Sequence, residues 1–252
     1  MNEILDTDRD LWPETCHGRW MDPGGEEGLV SVIVPTYNRA HLVGETLDSV
    51  RGQTYRPIEL IVVDDGSTDG TAEVVRRWGQ RCEDEEGLEL RYLRQQNRGA
   101  PAARNLGLIE SRGQFIQFLD SDDLLHPEKF ARQADELDGE GGVDVVYSGT
   151  GKFVDEADWD AEPRWGRYSD RPLREFLVSF PWHLSSVLYR REICLQNGPW
   201  QEDIDKWQDR EYHIRLLLNG SSVRHVPGVL SLARFAGQDR ISGGEKSARG
   251  IA

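Results

Sequence analysis

Three polar clusters in this sequence each follow directly on a short apolar run: Pro35-Thr36-Tyr37-Asn38, Asp64-Asp65-Gly66-Ser67 and Asp120-Ser121-Asp122-Asp123. In an open parallel sheet ligands bind beyond the carboxyl ends of the strands, so clusters at those ends are candidates for binding or catalysis. A single acid there can equally cap the next helix. Three clusters together favour a site. Asp120, Asp122 and Asp123 crowd carboxylates whose repulsion a hard divalent cation shared with a diphosphate would offset, and an all-oxygen donor set implies magnesium or manganese. No P-loop and no G-x-G-x-x-G accompanies these acids, which argues against an NTPase and a dehydrogenase. His183 and His225 stand alone and read as hydrogen-bonded structural residues rather than ligands.

The elements that must carry the clusters follow a repeating pattern. Val32-Ile33-Val34 ends at Pro35, and Val43, Leu47 and Val50 then recur at helical spacing. Leu60-Ile61-Val62-Val63 ends in Asp64-Asp65, after which Val74 and Trp78 mark an amphipathic helix. A strand over residues 88–93 leads through Asn97-Arg98-Gly99 to a helix carrying Ala102, Leu106 and Ile109. Residues 115–119 form a strand running into Asp120, and Pro127 opens a helix with Phe130, Ala134 and Leu137 on its apolar face. Residues 143–147 read as a further strand. This alternation is that of βαβ units around a parallel sheet. Residues 149–171 show no period and suggest a long loop or hairpin over a site. Beyond it, order returns over 184–189, Trp207, Ile214, Leu217 and Leu218 share the spacing of one helical face, and residues 223–235 read as extended with a turn at Pro227-Gly228.

The chain has 252 residues, enough for one large domain or two fused halves with a sizeable core. Its formal charge of −15 would repel a phosphate backbone and an anionic membrane alike, so nucleic acid is not an expected partner. Either a salt-rich habitat or simple solubility accounts for the surplus of acids. Cys16, Cys82 and Cys194 are widely spaced and odd in number, which suggests neither a disulfide framework nor a cysteine zinc site and fits a reducing cytoplasm. No apolar run approaches the ~20 residues of a membrane span, and the acidic start lacks a signal peptide's character. The expectation is a cytoplasmic protein without a transmembrane segment that can act peripherally beside a membrane.

Taken together, Ser31-Val32-Ile33-Val34-Pro35-Thr36-Tyr37-Asn38-Arg39, Val63-Asp64-Asp65-Gly66-Ser67-Thr68-Asp69, Arg104-Asn105 and Asp120-Ser121-Asp122-Asp123 resemble glycosyltransferase family 2. The resemblance covers about residues 29–240 and implies the α/β GT-A fold, a Rossmann-like, mostly parallel central sheet flanked by helices. It divides the chain into an N-terminal extension (1–28), a nucleotide-sugar and metal half (29–123), an acceptor half (124–240) and a C-terminal tail (241–252). In roles, it implies that Pro35, Thr36 and Tyr37 border the nucleotide base, that Asp65 accepts a hydrogen bond from the base amide N–H, and that Arg104 approaches the base or phosphates. Asp120 would face the ribose and donor sugar, and Asp122 would bind Mn2+ or Mg2+.

Ser185-Ser186-Val187-Leu188-Tyr189-Arg190-Arg191-Glu192, followed by Trp207-Gln208-Asp209-Arg210-Glu211, is similar to the family's acceptor half. There an acidic pair opens a helix and its second acid is the catalytic base. Asp209 keeps that position, while Gln208 replaces the first acid, which removes a negative neighbour and lowers the expected pKa of the base. Ala236 stands where many relatives have a histidine two residues after the arginine. Trp159, Trp165 and Trp182 either stack on sugar rings or pack under a loop. The implied activity is inverting transfer from a nucleotide-sugar, with UDP the leading carrier, to a saccharide or lipid-linked acceptor in cell-surface polysaccharide or glycoconjugate synthesis. The rivals are a sugar nucleotidyltransferase, which would need a glycine-rich triphosphate loop after the first strand, and a non-catalytic nucleotide-sugar binding protein.

Overall fold

The computed structural model describes residues 25–139 and 141–235, and the backbone of residues 3–6. Trp12, Cys16, Trp20, Ala236 and the tail 241–252 lie outside the described residues. Strands β1 (Glu3–Asp6), β2 (Glu26–Thr36), β3 (Ile58–Asp64), β4 (Leu88–Arg94), β5 (Gly113–Phe118), β6 (Leu124–Leu125), β7 (Val145–Phe153), β8 (Val187–Arg190) and β9 (Val223–Arg234) form one sheet in the order β1-β4-β3-β2-β5-β8-β7-β9-β6. The helices are α1 (Val43–Arg51), α2 (Thr71–Arg81), α3 (Ala100–Glu110), α4 (Lys129–Asp138), α5 (Pro172–Val178), α6 (Arg191–Asn197) and α7 (Gln208–Leu218).

The central strands are buried on both faces, as their unbroken apolar runs require. Successive side chains alternate faces. Val30, Val32 and Val34 of β2 join Leu60 and Val62 of β3 against Val43, Leu47, Val50, Val75 and Trp78 of α1 and α2. On the other face Ile61, Val63 and Leu93 meet Ala103 and Leu106 of α3. Gly107 lets α3 approach that face closely, since a Cβ there would lie 2.4 Å from Cγ2 of Ile33.

Topology assembles the site. After β2 the chain adds β3 and β4 on one side, all parallel, then returns to pair β5 with the other side of β2. This reversal makes the carboxyl ends of β2 and β5 a switch point, where a crevice opens. Because β8 runs antiparallel to β5, its beginning lies beside the end of β5. β7 is antiparallel to β8, and β9 is parallel to β7, so the ends of β7 and β9 reach the same edge.

Several expectations are corrected. β2 starts at Glu26, before the boundary at 29, and Glu3–Asp6 pairs in parallel with β4, so part of the expected extension belongs to the sheet. β7 continues to Phe153, five residues into the segment read as a loop. Its Ser148-Gly149-Thr150-Gly151 stretch carries no apolar signal, yet is buried against β9, where a Cβ on Gly149 would meet the Gly228 carbonyl at 2.7 Å. Pro227-Gly228 is a bulge within β9 rather than a turn: Ser148 pairs with Val226 and Gly149 with Val229. α5 and α6, seven residues each, are too short to show a period. The face expected on α7 is right only in part: Ile214 and Leu217 pack partly buried against the core, but Trp207 and Leu218 are exposed, and Tyr212, His213 and Leu216 are the buried positions.

His213 is buried, with its Nε2 2.7 Å from the Tyr189 hydroxyl and its ring stacked on Phe176. Burial pulls its pKa down to about 3. The unfolded chain binds a proton near pH 6.5 that the folded state does not. Stability from this residue is therefore complete above about pH 7 and is lost as pH falls toward 3, by up to ~1.4 kcal/mol per unit. Urea melts at pH 7.5 and 5 should show a fall in stability that His213→Phe makes shallower. An unchanged pH slope in the variant contradicts this assignment.

Candidate functional site

At the end of β2, Pro35 and Thr36 are buried and Tyr37 is exposed. The Thr36 hydroxyl is buried without a hydrogen-bond partner, and its carbonyl accepts from the Asp65 amide at 2.8 Å. Asn38 adopts φ +51°, and its Oδ1 accepts from the Thr68 amide at 2.9 Å while its own amide donates to Ser67 Oγ at 2.9 Å. The loops after β2 and β3 are thereby tied together.

The acids of the second cluster have separate tasks. Asp64 accepts from the Ser67 amide at 2.7 Å and from the Tyr92 hydroxyl at 2.5 Å, and Asp69 accepts from the Thr71 amide at 2.9 Å, so both are turn and helix-start acids. Asp65 accepts from Gln95 Nε2 at 2.7 Å and from the amides of Arg98 and Gly99 at 2.8 Å each. Its carboxylate holds the loop that enters α3, at the positive end of that helix. Of its roughly four lone-pair sites one is left for another donor.

Arg104 projects from α3 across the crevice. It donates to Asp120 Oδ1 at 2.8 Å and to Gln208 Oε1 at 3.2 Å, and its guanidinium lies 4.8 Å from the centre of the Trp200 ring. The next residue, Asn105, donates to the Trp200 carbonyl at 2.9 Å and accepts from its amide at 2.8 Å, which fixes the segment leading into α7. Asp209 then stands in the first turn of α7, half-buried. Burial pushes its pKa up and Asp120 adds to that, against the pull of His183, Arg104 and the amide of Arg210. The lower pKa expected from Gln208 and the helix start is overridden by desolvation. By contrast Asp155, Glu156, Asp158, Asp160 and Glu162 are on the surface or nearly so, ordinary solvated acids.

The third cluster closes the site. Asp123 is buried, accepts from Ser185 Oγ at 2.5 Å and from the Arg234 amide at 3.2 Å, and lies 3.5 Å from His183 Nδ1. Its pKa is pushed up to about 7, by desolvation first and then by Asp120 and Asp122, with His183 opposing. Among the described residues, Asp120, Asp123 and His183 bring ligand atoms within 4.8 Å of one another. That donor set suits a divalent cation. Asp122, expected as the metal ligand, is next to this trio but not in it; its backbone carbonyl accepts from Arg234 Nε at 3.3 Å. Asp123, Ser185, Arg234 and Asn105 carried no individual role in the sequence reading, and His183 was read there as structural. Only the antiparallel pairing of β8 brings it to the acids.

The remaining aromatic residues divide. Trp182 is core, stacked on Tyr147 with centroids 4.4 Å apart, so the sugar-stacking alternative does not apply to it. Trp159 packs partly buried beside His126, and Trp165 lies half-buried 5.3 Å from the His183 ring. His225 Nε2 donates to the Gly166 carbonyl at 2.9 Å, a structural hydrogen bond. Trp207 is exposed with φ +62°, a strained conformation for a bulky residue, and borders an open groove of about 560 Å³ with Ile204, Lys206, Arg210, Ile214 and Leu218. No described helix is long and apolar enough to cross a membrane.

The model of the family described as Glycosyl transferase family 2 matches residues 31–196, more than half of the chain. An uncharacterized glycosyltransferase, EpsJ of Bacillus subtilis, is 30% identical over 215 residues, covering 82% of this chain and 61% of its own length. The chain thus spans about three fifths of that relative. Among solved structures, S. aureus TarS in complex with UDP-GlcNAc superposes with a TM-score of 0.69 at 23% identity, over 85% of this chain and 61% of the other. The mannosyltransferase PcManGT from Pyrobaculum calidifontis in complex with GDP-Man and Mn2+ gives 0.62 at 22%, over 84% and 58%. The fold is the one these enzymes share, the GT-A arrangement expected from the motifs.

Asp65→Asn keeps the shape of the side chain but presents an NH2 to donors that need an acceptor. Leaving a buried amide unpaired costs ~1–3 kcal/mol. At roughly 2–4 °C per kcal/mol for a chain of this size, the midpoint of thermal unfolding should fall by several degrees, and the amides of Arg98 and Gly99 should exchange faster. Unaltered exchange at those two amides would show that the carboxylate does not hold the loop.

Proposed function

Because the chain belongs to glycosyltransferase family 2, we propose that it transfers a sugar, with inversion, from a nucleotide-sugar to an acceptor hydroxyl. UDP-sugars are the first choice of donor, since one of the superposing enzymes carries UDP-GlcNAc, although another carries GDP-Man. The acceptor is a saccharide or a lipid-linked glycan of cell-surface polysaccharide or glycoconjugate synthesis. The observation that carries the reading is Arg104, which spans from Asp120 to Gln208 and so holds the donor acids beside Asp209 in one crevice.

In this reading Pro35, Thr36 and Tyr37 border the base, with the unpaired Thr36 hydroxyl near it, and Asp65 offers its remaining lone pair to the base N–H. Arg104 neutralises phosphate charge, and Asp120 meets the ribose and donor sugar. A divalent cation fits the carboxylates of Asp120 and Asp123, with Asp122 next to them, where one Mn2+ or Mg2+ would offset the diphosphate charge as it develops on the leaving group. Asp209 takes the proton of the acceptor hydroxyl while that oxygen attacks the anomeric carbon. The bond from carbon to diphosphate oxygen breaks, and its electron pair leaves with the nucleoside diphosphate. A carboxylate whose pKa burial has raised is a stronger base than an exposed one, which suits Asp209 to the task.

Calorimetry with UDP tests the donor side. Binding should require Mn2+ or Mg2+ and should weaken in Asp122→Ala; equal affinity in EDTA rules out the metal assignment, and equal affinity in the variant rules out Asp122 as its ligand.

Asp209→Asn tests the chemistry. Donor affinity should persist while transfer to the true acceptor falls by ~10²–10⁴-fold. Near-normal turnover would mean that Asp209 is an ordinary helix-start acid. A wild-type chain that binds UDP-sugars but transfers to no acceptor would favour the non-catalytic binding protein.

A further inference from the structure

The fold adds a nitrogen donor to a site that the acids alone would make all-oxygen. His183 lies sixty residues after Asp123 in the chain, yet its Nδ1 is 3.5 Å from Asp123 Oδ2, and one of its ring nitrogens completes a trio with Asp120 and Asp123 within 4.8 Å. An ion bound at ~2.1 Å to each ligand sets adjacent donors roughly 3 Å apart and opposite ones about 4 Å apart, so a small inward movement suffices.

The ring is held in place rather than swept through solvent. His183 begins the 3-10 turn Leu184–Ser186, whose carbonyls are fixed from below: Gln117 Nε2 donates to Ser185 O at 3.2 Å and Gln133 Nε2 to Ser186 O at 2.8 Å. Both glutamines accept from the buried Lys129 Nζ. Ser185 Oγ joins the turn to Asp123, and the Trp165 ring covers one side of the imidazole. About a fifth of the His183 side chain remains open to the crevice. His183 Nδ1 also accepts from the Ser185 amide at 3.4 Å, capping the turn that it begins.

We propose that His183 is a ligand of the divalent cation and that its imidazole tilts the site toward Mn2+ over Mg2+. The inference rests on the metal-dependent reading above. Magnesium demands near-ideal octahedral oxygen coordination and gives up water reluctantly, whereas imidazole suits the transition-series ions. The sequence left magnesium and manganese equivalent; the nitrogen separates them.

The test uses the whole chain with Mn2+, in the presence and absence of UDP, followed by electron paramagnetic resonance, with Mg2+ as competitor. Wild type should bind Mn2+ with UDP, resist displacement by Mg2+, and show the 14N coupling of a coordinated imidazole in the pulsed spectrum. His183→Ala and His183→Gln, checked for native melting, should bind Mn2+ at least about tenfold more weakly, since even outer partners of metal ligands typically cost 10–100-fold. They should also lose the 14N coupling and most of the preference over Mg2+. Wild-type Mn2+ binding without nitrogen coupling, or folded variants that keep the affinity and the preference, overturns the role of His183 and leaves the metal reading standing. No Mn2+ binding by wild type, even with UDP, overturns both.

Discussion

The guanidinium of Arg104, buried on α3, is the interaction around which the site is built. It donates to Asp120 at the end of β5 and to Gln208 at the start of α7, two residues that lie 88 positions apart and belong to different halves of the chain. A buried cation demands a compensating charge, and Asp120 supplies it at 2.8 Å. Gln208 contributes only a dipole. Trp200 beneath the guanidinium, pinned by Asn105, fixes the plane in which it reaches.

Charge explains why the acids need that arrangement. With a net charge of −15, an acid cluster gains nothing from its surroundings at long range and relies on local partners. Asp64, Asp65 and Asp69 have amide and hydroxyl donors, and their work is to hold loops. Asp123 and Asp209 are different. Desolvation raises the pKa of both, and in each case positive or polar neighbours only partly offset it. Burying carboxylates at such an energetic disadvantage marks a functional site more than a structural one.

The second support is polar and lies within the core. Lys129 is buried and donates to Gln117 and Gln133, whose amides hold the turn Leu184–Ser186. Burial drives the lysine well below its ordinary pKa. A satisfied polar network of this kind specifies one geometry where an apolar core would tolerate several. Here the geometry it specifies is that of His183 and Ser185 against Asp123.

The sequence by itself determined the local elements and the polar clusters at the strand ends. The apolar runs of β2, β3 and β5 and the helical spacing of α1 to α4 are set by near-neighbour packing, which residue pattern records directly, and the strand-end clusters with Arg104 and Asp209 were readable as motifs. It failed where burial depends on distant partners. Ser148-Gly149-Thr150-Gly151 has no apolar period but is a central strand because β9 covers it. Of the stripe Trp207, Ile214, Leu217 and Leu218, the middle pair packs against the aromatic core but the outer two lie outside, because Tyr212, His213 and Leu216 are the fully buried side chains of α7. Tertiary structure alone set the pKa of Asp209, because desolvation outweighs the neighbour change visible in the sequence. It alone brought His183 to Asp123, because the antiparallel reversal of β8 converts sixty residues of separation into 3.5 Å.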